Sequence, residues 1–134
     1  MLWNIPWIVL PFIVYNLIAL AFGTDALNAT VGDFTLLSTA VWTLRVGDAM
    51  IAFTLVMLFV EIMKASRHSA ISLVDHGLSM LLFVVCLIEF LAAPIAATSV
   101  FFVILAVALI DVMAGFVISI RFARRDLSLG AETA

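Results

Sequence analysis

Read for polarity alone, the chain consists of four long apolar runs separated by shorter polar stretches. A helix that crosses a membrane needs about 20 mainly apolar residues. Residues 3–22, 47–66, 72–92 and 99–122 meet that need, which predicts an all-α integral membrane protein. The expected fold is a four-transmembrane-helix bundle forming one domain over residues 1–125, with a short polar cytoplasmic tail at 126–134. Pro6 falls in the first turn of the first span, where a missing N–H costs little. Pro11 lies further in, where its ring is expected to bend the helix. Ala19-Leu20-Ala21 imitates a signal-cleavage site. No Lys or Arg precedes that run and it is longer than a typical signal core, so a retained span is expected.

The connection between the first two spans is the only long one. Gly32-Asp33 followed by Phe34, Leu36, Leu37, Val41 and Leu44 reads as a short capped amphipathic helix in this first extracytoplasmic loop. Asn28-Ala29-Thr30 matches an N-glycosylation sequon, a short pattern that means nothing in a bacterium.

Within the spans, polar positions recur at helical spacing. The second span carries Gly47, Met50, Thr54, Met57, Glu61 and Lys64 at steps of three and four; the third carries Asp75, Ser79, Leu82, Cys86, Glu89 and Ala93. The fourth carries Ile104, Ala108, Asp111, Gly115 and Ser119. Small residues let helix backbones approach and polar ones bond across helices, so these stripes are expected to face one another. Gly47, Thr54, Ala108, Gly115 and Ser119 are the expected helix-packing positions.

Composition strengthens this picture. Of 134 residues, 66% are hydrophobic and 11% charged, with a mean hydropathy of +1.33. A soluble domain is about 45–50% apolar and about 25% charged. The net charge of −3 and the lack of a basic run argue against nucleic acid as a partner. The lone Cys86 excludes an internal disulfide. Lys64, Arg67 and His68 flank the second connection, and Arg121, Arg124 and Arg125 follow the last span, whereas the first connection holds Asp25 and Asp33 with no basic residue before Arg45. The positive-inside rule then puts both termini on the cytoplasmic side of the plasma membrane. Trp3 and Trp7 fit the inner aromatic belt and Trp42 the outer one.

Ionisable residues within spans carry the candidate chemistry, because their insertion is costly. Asp111 lies about 18 Å from the start of its span, near mid-bilayer. No basic residue is expected at its depth, which leaves it protonated, hydrated, bonded to hydroxyls such as Thr54, or paired with another protein or an ion. Glu61 belongs to the inner part of span two, Glu89 to the outer end of span three, and Asp48 to the outer start of span two. One reading is structural: Arg45 with Asp48, and Glu61 with Lys64, form local pairs. The other is a proton or ion relay from Glu89 and Asp48 through Asp111 to Glu61. Its steps of about 10 Å each are too long without water. His68 and His76 lie together at one membrane edge, an arrangement poorly suited to haem. There is no Glu-x-x-His and no Cys-x-x-Cys, so no metal and no cofactor is expected. Short loops and the lack of a catalytic constellation point away from an enzyme.

The function expected from these features is association, as a subunit or scaffold of a larger membrane complex or as a homo-oligomer, with the lipid bilayer and other membrane protein subunits as partners. The alternative is a small proton- or cation-coupled transporter or channel using Glu89, Asp111 and Glu61.

Overall fold

The computed structural model describes residues 5–67 and 73–132; Trp3 and His68 lie outside the described residues. The chain is mostly helical, with α1 (Val9–Phe22), α2 (Val46–Arg67), α3 (Leu73–Ala92) and α4 (Ser99–Glu132). Between α1 and α2 stand a 3-10 turn (Thr24–Asn28) and two strands, β1 (Thr30–Thr35) and β2 (Val41–Arg45). A second 3-10 turn (Pro94–Ala96) joins α3 to α4. Three of the helices, α2, α3 and α4, are long and apolar enough to cross a membrane, and α1 is a shorter apolar helix. At the centre is α4, which packs against α3, α2 and α1.

Three elements differ from what the sequence suggests. The first span is expected as one helix over residues 3–22, bent at Pro11, but the regular helix starts only at Val9. Pro11 therefore sits in its first turn. The proline ring clashes with the carbonyl four residues earlier, so an unbroken helix cannot run from Trp7 through Pro11. The chain enters α1 through tight turns instead, with the Val9 N–H donating to the Pro6 carbonyl at 3.0 Å and the Leu10 N–H to the Trp7 carbonyl at 3.1 Å. At the other end of the molecule, α4 continues to Glu132 where a polar tail is expected. Residues 121–129 include Arg, Ala and Leu, good helix formers, and the segment simply extends the apolar helix before it.

The third difference is the largest. The segment expected as an amphipathic helix is an antiparallel hairpin, with Phe34 opposite Trp42, Asp33 opposite Thr43 and Thr35 opposite Val41. Its apolar positions suit either period, but Thr30, Val31, Thr35, Val41, Trp42 and Thr43 are β-branched or aromatic and favour a strand. The Leu36 carbonyl accepts from the Thr39 N–H at 2.9 Å, and the Leu36 N–H donates to the Ala40 carbonyl at 2.9 Å. Thr39 takes a left-handed φ of 65° to close this turn. A threonine there gives no Asn-Gly signal, which is why the turn is hard to see in the sequence.

The core forms where the helices converge on α4. Phe101 and Ile104 of α4, Tyr15 of α1, Thr54 of α2 and Cys86 of α3 are all 0% exposed. Phe101 is surrounded by rings: Tyr15 edge-on at 5.0 Å, Phe12 at 6.1 Å and Phe90 stacked at 6.3 Å. These residues fill the middle of the bundle with side chains. They separate two polar groups, one near each end.

Candidate functional site

The larger polar group lies towards the end where α2 finishes and α3 begins. It is built on Lys64, which is 6% exposed. An ammonium group has three N–H donors and no acceptor. Each donor here has an oxygen within reach: Glu61 Oε1 at 2.6 Å, Asp75 Oδ1 at 3.3 Å and the Ile5 carbonyl at 3.3 Å. Glu61 is 4% exposed, and its second oxygen, Oε2, accepts the Trp7 N–H at 2.9 Å. The Pro11 break explains that bond, because it leaves the backbone before α1 outside the regular helix and free to meet α2. A carboxylate beside the start of α1 also opposes the positive end of its dipole.

One turn deeper, Asp111 of α4 is 8% exposed and is hydrogen-bonded to Ser79 of α3. Thr54, one of the hydroxyls offered as a partner for Asp111, instead donates to the Met50 carbonyl of its own helix at 2.7 Å. Nor is Asp111 remote from positive charge: Lys64, with Glu61 and Asp75, contributes to the field at its carboxyl. The sequence places Lys64 at a helix end, but its long stem turns the ammonium into the bundle. His76 packs its ring over Gly115 and stacks on Phe116 with centroids 6.4 Å apart. A small cavity of about 20 Å³ lies among Glu61, Asp75, His76, Ser79, Asp111 and Gly115. That is room for about one water.

The second group lies near the opposite end. Asn16 of α1 donates to Glu89 Oε2 of α3 at 3.3 Å. Glu89 Oε1 is buried and has no hydrogen-bond partner among the described residues. Close by, the Tyr15 hydroxyl donates to the Ile95 carbonyl at 2.7 Å and so accepts from Thr98, 2.6 Å away. The Thr98 hydroxyl also accepts the Phe101 N–H at 3.1 Å, which caps the start of α4. Asn16 and Tyr15 join this group although neither falls on a polar stripe of the other spans. Their signal in the sequence is two adjacent polar side chains inside the apolar run from Ile5 to Phe22.

The other candidate positions separate by role. Asp48 is exposed and accepts the Arg45 N–H at 3.0 Å through Oδ2, so it caps the start of α2 where an Arg45–Asp48 side-chain pair is expected. Gly47 is buried against α4 and the first 3-10 turn: a Cβ there would lie 3.0 Å from Val100 Cγ2 and 3.2 Å from the Leu27 carbonyl oxygen. Ala108 is 3% exposed and Thr54 0% exposed, while Gly115 and Ser119 are half-buried. Ser119 donates to the Gly115 carbonyl at 2.8 Å. Asp111 and Glu61 therefore share one cluster. Glu89 belongs to another, and Asp48 to neither.

This geometry decides what the carboxylates can do chemically. Ser79 and Glu89 are ten residues apart on α3, about 15 Å along the axis. The layer between them holds Leu82, Cys86, Phe101 and Ile104, each at most 9% exposed. A proton cannot hop that distance through packed side chains. Among the described residues, no group of three His, Cys, Asp or Glu side chains is arranged to hold a metal ion. No protein-family model, curated protein or solved structure matches the chain.

Proposed function

We propose that the chain is an integral membrane protein that crosses the bilayer four times and acts by association, as a subunit or scaffold of a larger membrane complex or as a homo-oligomer. The observation that carries this reading is the buried pairing of Lys64 with Glu61 and Asp75. Lys64 has an acceptor for every donor, Glu61 uses both oxygens, and the layer beyond them is packed. Such an interior is suited to holding helices in register rather than to passing ions.

The fourth crossing rests on α1. Alone it is about 21 Å long, less than the roughly 30 Å hydrocarbon core. Yet residues 5–7 meet Glu61 and Lys64 near one end of the bundle, and Tyr15 meets Thr98 near the other. The turns before Val9 thus extend the helix across the same depth as its neighbours. For α4, about 30 Å from Ser99 is reached near Ser119. Arg121, Arg124 and Arg125 then fall at or beyond the headgroups, which by the positive-inside rule sets both termini in the cytoplasm.

One observation favours the second reading, a proton- or cation-coupled transporter. Glu61, Asp75 and Asp111 line a cavity with room for a water, more carboxylates than the one ammonium of Lys64 beside them neutralises. The test is proton and cation flux in liposomes for the wild type and Asp111→Asn. The association reading expects no flux from either. Wild-type flux that vanishes in Asp111→Asn, with the fold intact, would establish the transporter instead.

A further inference from the structure

The hairpin presents apolar surface that no other described residue covers. Every residue from 33 to 42 is exposed. Phe34 and Trp42 face each other across the strands with rings 5.9 Å apart, yet they are 50% and 49% exposed. Val31 and Val41 are 59% and 63% exposed, and Leu37 at the tip is fully so at 107%. Two strands without a third strand or a covering helix are marginal in water. A contiguous exposed apolar patch of this kind marks a contact surface.

From these features we infer that the hairpin rests in the headgroup–acyl boundary of the bilayer, with Phe34, Trp42 and the Leu36–Leu37 tip as its anchor. The inference rests on the reading that the helices span the membrane. The first argument is connectivity. The last residue of β2, Arg45, is followed directly by Val46, the first of α2, and the Val46 N–H donates to the Ala29 carbonyl at 2.9 Å. The Asp48 cap ties Arg45 to the same turn. The base of the hairpin is thereby fixed where α2 leaves the bilayer, and strands of this length reach only about 17–20 Å from it.

The second argument is chemical. Residues 34–44 contain no Asp, Glu, Lys, Arg or His. Asp33, at their edge, is hydrogen-bonded by the Thr43 hydroxyl at 2.6 Å. A long uncharged segment with Trp, Phe and Leu matches an interfacial anchor, whose apolar side chains enter the acyl boundary while the indole N–H meets headgroup oxygens. Among the described residues the sheet has two strands, so its outer edges present backbone groups that need water or headgroups, which holds the hairpin at this level rather than deeper.

The test places the full chain, with Trp3→Phe and Trp7→Phe, in phosphatidylcholine nanodiscs so that Trp42 is the sole tryptophan. Brominated lipids then report its depth. The expected result is blue-shifted Trp42 emission, quenched more by bromines near the headgroups than by deep ones, at a depth of about 5–10 Å. Leu37→Asp should lift the tip and reduce that quenching. Emission typical of an indole in water, unaffected by bromine at any depth, would overturn the inference. So would shielding of Trp42 that appears only as copies per disc increase, because the occupant would then be a second copy. A control chain with Trp3→Phe, Trp7→Phe, Trp42→Phe and Phe59→Trp probes the α2 face, where Phe59 is 64% exposed. Deep quenching there with none at Trp42 rejects the hairpin inference alone. Quenching at neither position rejects the membrane-spanning reading and the inference with it.

Discussion

Replacing Lys64 by methionine keeps the apolar stem and removes the ammonium group from its three oxygens. The size of the effect depends on which regime the Glu61–Lys64 pair occupies. An exposed ion pair is worth about 0–1 kcal/mol. Removing one partner of a buried pair costs about 3–5 kcal/mol, because the remaining charge is stranded. Both side chains are 5% exposed, which selects the buried regime; Asp75, at 21%, retains some solvation and moves the expectation to the low end. A loss of about 3 kcal/mol follows. At about 3 °C per kcal/mol for a chain of this size, melting should fall by about 10 °C. Thermal unfolding in mild detergent measures it, and the double variant Lys64→Met/Glu61→Gln separates lost packing from stranded charge. The glutamine can still accept the Trp7 N–H through its carbonyl oxygen while carrying no charge. The double variant should therefore be more stable than Lys64→Met alone. Wild-type melting for Lys64→Met, or strictly additive losses in the cycle, would refute the argument that this ammonium holds the cluster together.

The remaining predictions follow from contacts elsewhere. Gly47→Ala should cost about 1–3 kcal/mol, because the added carbon meets Val100 and the Leu27 backbone with little room to yield. Gly115→Ala should cost less, since its 2.9 Å neighbour is Nδ1 of a movable His76 side chain. Equal melting losses for the two, or a matching loss for a lipid-face control at Leu109, would show the packing assignment to be wrong. Asp111→Leu should lower stability by about 1 kcal/mol, the scale of hydrogen bonds between membrane helices, while Asp111→Asn should retain most of it; unchanged melting in Asp111→Leu contradicts a role for the Ser79 bond. In a Cys86→Ala background, single cysteines at Arg67 and Asp33 should label from opposite sides of sealed vesicles, and labelling from one side only would contradict the proposed topology.

The parts of this fold legible in the sequence are those set by helical periodicity. Gly47, Met50, Thr54, Glu61 and Lys64 recur at steps of three and four, and all five are buried along α2. The same rhythm identifies Ser79, Leu82 and Cys86 on α3, and Ile104, Ala108 and Asp111 on α4. What the pattern could not supply is distance between helices. Lys64 looks like a terminal residue until its stem is seen to reach Asp75 and Ile5. Counted by helical rise from the span ends, Ser79 lies nearer the depth of Asp111 than Thr54 does, and packing around α4 brings the two together. The hairpin was hidden for a different reason: its apolar spacing suits a helix, while its turn closes on a threonine in a conformation that residue rarely adopts. Pro11 reads as a kink in the sequence because the Trp7–Glu61 bond that accompanies the boundary joins residues 54 positions apart.

The association reading is tested most directly by stoichiometry. The full chain, purified from its native membrane in mild detergent, would be weighed by native mass spectrometry with its subunits counted. The account expects a fixed whole-number assembly, either several copies of this chain or this chain with another membrane polypeptide. A population consisting only of single chains, retaining its lipids and melting cooperatively, would contradict it.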